Sequence, residues 1–234
     1  MQKSIHVSLL FLMTLLISAC EPSSRSNAIS NSEFWITNSI TVDPDTHKVS
    51  CFTSLSVGGA GGTNIDLDSE DTLTCSLAST TQSMTRSSAG AYSYSEMTAT
   101  VGGSYSLTLT RGGSSECGKS GTFTGQVVLP EAMVITSPTA AAIVSRATSL
   151  AINWTPGTAD SVAISLSGTT VGTFTTSTTD IGNYTISATD MADLQNGPAK
   201  LTLTRTNIGQ HPSGIKGGST TATQYQEISI TVAD

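Results

Sequence analysis

Cysteine is the residue type with the clearest chemistry in this 234-residue chain, and it occurs at positions 20, 51, 75 and 117. Cys51 and Cys75 each keep step with apolar residues two positions away, so both side chains are expected to face a core. We predict a disulfide between Cys51 and Cys75. Cys117, in the polar loop 112–121, is an alternative partner for either of them, because sequence alone does not fix connectivity. No CxxC motif is present, so redox catalysis by these thiols is not expected.

Acidic side chains recur along a second stretch. Asp66, Asp68, Glu70 and Asp71 follow Asn64, and calcium takes about six to eight oxygen ligands from loops of this kind. The glycine and the distant glutamate of an EF-hand loop are missing. We interpret the stretch as a solvated acidic loop, with a weak calcium site as the alternative. No other metal and no cofactor is predicted.

Histidine is rare and gives no catalytic pattern. His6 lies in the apolar leader, and His47 and His211 lie in different halves of the chain. No GxSxG elbow, P-loop, GxGxxG fingerprint or cluster of zinc ligands occurs in the sequence. These absences favour a protein that is not an enzyme.

The elements that position these residues are strands. Leu150, Ile152 and Trp154 share one phase while the residues between them are polar or small, as in a sheet that is buried on one side. The same alternation recurs through the chain and is broken by turn sequences such as Pro156-Gly157 and Gly217-Gly218. About seven short strands per unit are typical of a two-sheet sandwich. The predicted fold class is therefore all-β.

After residue 33 the sequence contains an internal repeat. The sequence Ser-Leu-Thr-Leu-Thr-Arg at 106–111 returns as Lys-Leu-Thr-Leu-Thr-Arg at 200–205. Four weaker echoes come in the same order: 36–37 with 135–136, 49–51 with 150–152, 71–77 with 160–166, and 92–94 with 184–186. We predict two tandem β-sandwich domains, at residues 34–130 and 131–234.

The second unit has three features in common with known modules. These are Ile-Thr-Ser-Pro at 135–138, Trp154, and Tyr-Thr-Ile at 184–186 leading into Leu-Thr-Leu-Thr at 201–204. On these residues the unit is similar to bacterial immunoglobulin-like and fibronectin-type-III-like modules; the first unit lacks the tryptophan. The resemblance implies antiparallel sandwiches with an adhesion or spacing role and no catalytic residue. We interpret Trp154 itself as core filler.

The first twenty residues read as an export signal. Lys3 precedes an apolar run at 5–17, and Ser18-Ala19 stands before Cys20. The run resembles the lipobox of bacterial lipoproteins. That resemblance implies that residues 1–19 are removed, that Cys20 carries acyl chains inserted in the bilayer, and that the protein stays in the cell envelope, with the outer membrane favoured over the inner. Residues 20–33 are predicted to be a flexible tether.

Composition limits the partners. Charged residues make up 12% of the chain, the net charge is −7, and the ten basic residues do not cluster, which excludes a nucleic-acid footprint. The leading hypothesis is a non-enzymatic envelope lipoprotein that binds an envelope protein or a glycan through its sandwich loops. One alternative is a structural spacer or assembly subunit that uses free strand edges. A less favoured one is an enzyme with an unrecognised site.

Overall fold

The computed structural model describes residues 24–44, 46–113 and 119–234, and strands make up most of this part of the chain. The first ten strands are β1 Ser24–Arg25, β2 Phe34–Val42, β3 Lys48–Val57, β4 Thr63–Asp66, β5 Thr72–Leu77, β6 Thr80–Ser83, β7 Thr85–Arg86, β8 Tyr92–Thr98, β9 Ser104–Gly112 and β10 Ser120–Val128. The others are β11 Ile135–Ser137, β12 Ile143–Ser145, β13 Leu150–Trp154, β14 Ser161–Gly168, β15 Gly172–Thr178, β16 Asn183–Ile186, β17 Gly197–Ile208 and β18 Gly217–Ala233. One short helix, α1 Ala188–Ala192, and two 3-10 turns, Ser26–Ala28 and Asn31–Glu33, complete the described elements.

One large sheet forms a layer of both sandwiches. Its strand order is β1-β4-β3-β2-β18-β17-β14-β15, with β7, β8 and β12 attached at the sides. Two smaller sheets, β10-β9-β5-β6 and β11-β13-β16, cover it. Along β18 the buried residues keep one phase, from Thr220 and Ala222 to Ile230 and Val232. Because side chains alternate across a strand, both covers lie on the same face of the shared sheet. The all-β sandwich fold predicted from the sequence is confirmed.

Each cover closes its own hydrophobic core. The first core joins β2, β3 and β8 to β5, β9 and β10, and Phe34, Tyr105 and Leu107 are among its most buried members. The second core joins β14, β17 and β18 to β13 and β16 around Trp154 and Leu201. The two sets divide near residue 130, with one exception. Ala222 of β18 belongs to the first core.

A long hairpin explains that exception. β17 and β18 pair as antiparallel strands from Gly197–Val232 to Ile208–Thr221. Residues 217–224 of β18 then pair in parallel with residues 35–42 of β2. We call residues 208–224 the arm. It gives β2, which would otherwise be a sheet edge, a second hydrogen-bonding partner. The domain boundary at 130/131 stays a prediction, but residues 217–224 complete the first sandwich.

The echoed segments lie on matching strands. β3 lies between β2 and β8, as β13 lies between β11 and β16. β5 lies between β6 and β9, as β14 lies between β15 and β17. All five echoes fall on strands that correspond in this scheme. The sequence repeat is therefore also a repeat of strand pairing.

The N-terminal segment differs from the predicted flexible tether. Residues 24–33 are packed on the first sandwich: β1 pairs with β4, Ser26 is fully buried, and Ile29 joins the first core. A capping box at Ser30 and Glu33 fixes the turn that leads into β2. Residues 24–33 are held here because Ile29 enters the first core, the Ser26 hydroxyl bonds to Asp68, and the Asn31 amide bonds to the Ser120 carbonyl. Residues 20–23 lie outside the described part.

Candidate functional site

The disulfide joins the two layers of the first sandwich. Cys51 of β3 and Cys75 of β5 form it across the core, and both are fully buried. This confirms the predicted pairing. Ile152 and Ile164 hold the equivalent places in the second core. Cys20 and Cys117 lie outside the described residues, so lipidation at Cys20 stays a prediction.

The acidic side chains of this stretch pair with arginines. Asp66 pairs with Arg86, Asp68 lies 3.7 Å from Arg25, and Asp71 lies 3.8 Å from Arg111. Within residues 24–44, 46–113 and 119–234, no group of three or more His, Cys, Asp or Glu side chains is arranged to hold a metal. The calcium alternative at Asp66, Asp68, Glu70 and Asp71 stays a prediction, which calorimetric titration with calcium tests.

Asp68 fixes the N-terminal segment. It accepts hydrogen bonds from the Asn27 backbone N–H at 2.7 Å and from the Ser26 hydroxyl at 3.0 Å, and the Ser26 hydroxyl accepts one from the Asp68 backbone N–H. The Asn27 bond above all holds the pKa of the Asp68 carboxyl below its usual range, with smaller help from Ser26 and Arg25. The chain therefore enters the first sandwich at a fixed point.

The described residues of two loops, 58–71 and 112–121, lie at this same end. The backbone N–H of Gly112 donates to Asp71 Oδ1 at 3.0 Å, and Asn31 Nδ2 donates to the Ser120 carbonyl at 2.8 Å. β2 begins here, opposite the first residue of β18. We call this the N-terminal end. The distal end of the second sandwich holds the β14–β15 turn, helix α1 and the C-terminus, where Gln195 donates to the Val171 carbonyl at 3.0 Å.

A buried arginine secures the start of the first sandwich. Arg111, the last residue of the first Leu-Thr-Leu-Thr-Arg echo, is 3% exposed. It donates to the carbonyls of Ser26 and Ile29 and lies 4.4 Å above the Phe34 ring. Burial lowers the pKa of Arg111, and the charge of Asp71 opposes that shift. The guanidinium therefore binds the incoming chain to β9.

Arg205 holds the start of the second sandwich in the same way. Its Nε lies 2.8 Å from Asp180 Oδ2 and its Nη2 lies 3.0 Å from Oδ1. It also donates to the carbonyls of Glu131 and Ala132 at 3.0 Å, and Trp154 Nε1 donates to Asp180 Oδ1 at 2.9 Å. The sequence pattern did not predict that either arginine is buried. The repeated Leu-Thr-Leu-Thr-Arg was the available signal.

A polar chain seals the arm against the first sandwich. Thr53 Oγ1 donates to Asn38 Oδ1 at 2.8 Å, and Asn38 Nδ2 donates to Thr220 Oγ1 at 3.3 Å. All three residues are buried. Gly125 of β10 lies against this chain, and a β-carbon there would come within 2.7 Å of Asn38 Nδ2 and still closer to Thr220 Oγ1. The arm thus packs against β10 at Gly125, a position that has no room for a side chain.

The two described histidines do not form a catalytic group. His47 is exposed in a turn with φ 54°. His211 lies in the arm, and neither of its buried ring nitrogens has a hydrogen-bond partner. Neither ring is hydrogen-bonded to an acid or to a hydroxyl in the part of the chain that the structure covers.

The outer face of the shared sheet carries hydroxyls across both sandwiches. The Thr41 and Thr223 hydroxyls lie 3.3 Å apart where β2 meets β18, and the only ion pair recorded between described residues on this face joins Lys200 and Glu227. Further hydroxyl-bearing residues that the strand registers place on this face include Thr37, Ser39, Ser50, Ser54, Ser161, Ser165, Ser167, Thr173, Thr175, Ser177, Thr202, Thr204, Thr206, Ser219, Thr221, Ser229 and Thr231. A shallow depression of about 530 Å³ lies between Ser167, Lys200 and Ser229.

Comparison with known proteins gives remote structural similarity only. No protein-family model matches the chain, and no curated protein matches it. Among solved structures it is similar to the fibronectin(III)-like modules of Clostridium thermocellum CbhA, at 11% identity, with 85% of this chain and 92% of that chain covered and a TM-score of 0.26. It is also similar to a tetra-tandem repeat from the extending region of a large adhesion protein, at 11% identity over 82% of this chain, with a TM-score of 0.25.

A third similar structure is a Ca²⁺-stabilized adhesin that helps an Antarctic bacterium bind ice, at 13% identity over 88% of this chain, with a TM-score of 0.26. The chain spans half the length of each of the two adhesin structures. TM-scores this low carry no argument about this protein, so its fold rests on its own strand pairing. The described residues form two all-β sandwiches that share one large sheet.

Proposed function

We propose that this protein is a lipid-anchored, non-enzymatic module of the bacterial cell envelope, whose two sandwiches act as one rigid unit that presents a binding surface. The arm is the observation that carries the proposal. Two domains joined only by residues 129–134 would move relative to each other by default. Here eight backbone positions of β18 pair with β2 while the rest of the strand stays in the second sandwich.

The anchor sets which end faces outward. Residues 24–33 are held at the N-terminal end by Asp68 and Arg111, only a few residues after Cys20. With acyl chains on Cys20, the N-terminal end lies next to the bilayer and the second sandwich projects away from it. We therefore propose the distal end, rather than the loops 58–71 and 112–121, as the surface for an envelope protein or a glycan.

Two measurements on the full-length protein in its own membrane test this proposal. Metabolic labelling with an alkyne palmitate is expected to label the protein, and Cys20→Ser is expected to abolish the label. A photo-crosslinking amino acid at exposed Asp193, beside helix α1, is expected to capture a partner, whereas the same probe at exposed Gly61 at the N-terminal end is not. Partner capture from Gly61 alone, or a labelled Cys20→Ser variant, contradicts the proposal.

An assembly subunit is the second candidate, and one observation favours it. β15 ends the large sheet with a full-length edge, and no strand in the described ranges pairs with its outer side. Such an edge can accept a further strand through backbone hydrogen bonds. Crosslinks from β15, rather than from the distal end, distinguish this function from the first.

A further inference from the structure

The edge strand β15 differs from ordinary protein edges. It spans Gly172–Thr178 and reads Gly-Thr-Phe-Thr-Thr-Ser-Thr, without a charge or a proline. Its register with β14 runs from Val162–Thr178 to Gly168–Gly172 without a shift, so no bulge twists it away. Proteins usually protect an exposed edge with lysine, proline, a bulge or a covering segment. β15 has none of these devices among the described residues.

The other described edges are short, charged or covered. β6, β11, β12 and β16 have four residues or fewer. The sides of the sheet at β1-β4 and β7-β8 carry Arg25, Asp66, Arg86 and Glu96. β10 is long and uncharged, but the arm covers it, because Gln126 and Gln210 exchange backbone hydrogen bonds of 3.1 and 2.6 Å. The contrast marks β15 as the one long edge left open in the described chain.

We propose that two copies of this chain pair through β15, antiparallel and around a two-fold axis, so that their large sheets join. Thr175 is the midpoint of the strand. A register centred on it places Thr175 opposite its own copy, Thr173 opposite Ser177, and Phe174 opposite Thr176. Cross-strand pairs of threonines, and of aromatic with β-branched residues, are favourable.

Charge argues for a second copy as the occupant. The net charge of −7 opposes general self-association, yet none of it lies on β15. The ion pair Lys200–Glu227 lies two and three strands inward, and its charges compensate each other. Pairing of this strand with itself therefore meets no like charge. A two-fold contact also closes on itself, so it gives a dimer rather than an open fibre.

The test uses the full-length protein in its membrane, with a photo-crosslinking amino acid at Ser177. The matched control carries the probe at Thr122, an exposed position on β10, the edge that the arm covers. A covalent species of twice the mass of one chain is expected from Ser177 and not from Thr122. A species from both positions, no such species, or crosslinking of Ser177 mainly to a different protein overturns the proposal.

Introducing a charge at the centre of the register adds a second, sharper readout. Thr175→Lys places two like charges opposite each other and is expected to reduce the crosslinked dimer roughly fivefold, the factor that about 1 kcal/mol represents. Co-expression of Thr175→Lys with Thr175→Glu chains is expected to restore it. Thr175→Ser is the neutral control. Failure of the mixed pair to restore the dimer contradicts the two-fold register. This inference does not depend on the lipid at Cys20.

Discussion

Gly125→Ala is the substitution that most directly tests how the arm holds the two sandwiches together. Gly125 lies on β10 and faces the polar chain between β2 and the arm. The added methyl group would come within 2.7 Å of Asn38 Nδ2 and 3.3 Å of Pro212 Cδ, and closer still to Thr220 Oγ1. Thr220 and Pro212 both belong to the arm. The arm, rather than a flexible surface side chain, must therefore move.

The cost follows from two effects. Overpacking a filled core by one methyl group costs about 1–3 kcal/mol, and a buried amide that loses its hydrogen bond costs a further 1–3 kcal/mol or so. Alanine narrows the unfolded ensemble and returns about 0.4–1 kcal/mol. We expect a net loss of about 2–4 kcal/mol, which a urea m-value of roughly 2 kcal/mol/M converts to a midpoint shift of about 1–2 M.

Tryptophan fluorescence during urea unfolding measures this loss, because the chain has two tryptophans, one in each sandwich. The Trp35 ring lies against Gly217 of the arm, and Trp154 lies in the second core. Variants that keep only one of them, Trp154→Phe and Trp35→Phe, report each sandwich separately. We expect one common midpoint for the two reporters in the parent protein. In Gly125→Ala the Trp35 transition should move to lower urea.

Two controls decide the outcome. Gly61 has open space around it and an ordinary φ, so Gly61→Ala should be neutral or stabilise by up to about 1 kcal/mol. Adding Thr220→Ala to Gly125→Ala removes the nearest atom, and the double variant should lose at least about 0.5 kcal/mol less than the two single losses together. Equal stability of Gly125→Ala and Gly61→Ala, or separate midpoints for the two tryptophans of the parent protein, would contradict a tightly packed arm that couples the two sandwiches.

Three further outcomes are expected. Replacing Cys51 and Cys75 by alanine should cost about 3.5 kcal/mol, the loop-closure term for a 24-residue separation; a parent protein whose urea midpoint does not respond to reductant would contradict this. Arg205→Ala should cost about 3–5 kcal/mol because it leaves the buried Asp180 carboxylate unpaired, and Asp180→Asn in that background should recover part of the loss, again by urea unfolding. The Asp68 carboxylate should stabilise the packing of residues 24–33 fully above its ordinary pKa of 3.8. This stabilisation should disappear as the pH falls through the lower pKa that Asp68 has in the folded protein. The hydrogen-exchange protection of residues 24–33, corrected for the intrinsic exchange rate at each pH, should therefore fall in acid, and Asp68→Asn should remove this dependence.

The local alternation of apolar and polar residues was enough to predict the strands. It did not predict that β18 pairs with β2. Ile228, Ile230 and Val232 mark the buried face of β18 within the second sandwich. In the arm the same phase continues as Thr220, Ala222 and Gln224, which are polar or small and give no apolar signal. The disulfide was predictable because each cysteine keeps step with its own strand. The arm was not, because its partner β2 lies about 180 residues earlier in the sequence.

The burial of Arg111 and Arg205 was also not predictable from the sequence pattern. A charged residue at the end of a strand normally lies in water, so the Leu-Thr-Leu-Thr-Arg echo indicated a repeat but not a buried group. Arg111 and Arg205 are buried because carbonyls from the chain about 70–80 residues earlier meet them. Those carbonyls are backbone atoms, which no side-chain pattern encodes. The repeat would have indicated buried arginines only if the carboxylates that pair with them, Asp71 and Asp180, also occupied equivalent positions in the two copies. They do not, because they come from different loops.

The parallel pairing of β2 with β18 also determines how the protein would bear tension. The chain enters β2 at the N-terminal end, and β18 leaves the pairing towards the opposite, distal end. A pull applied between the N-terminal segment and the C-terminus therefore acts along both strands in opposite directions. Their evenly spaced hydrogen bonds, over the eight positions from Trp35 to Val42, are loaded in shear and must break together. The linker at residues 129–134 is bypassed, and the first sandwich opens only when the arm slides free.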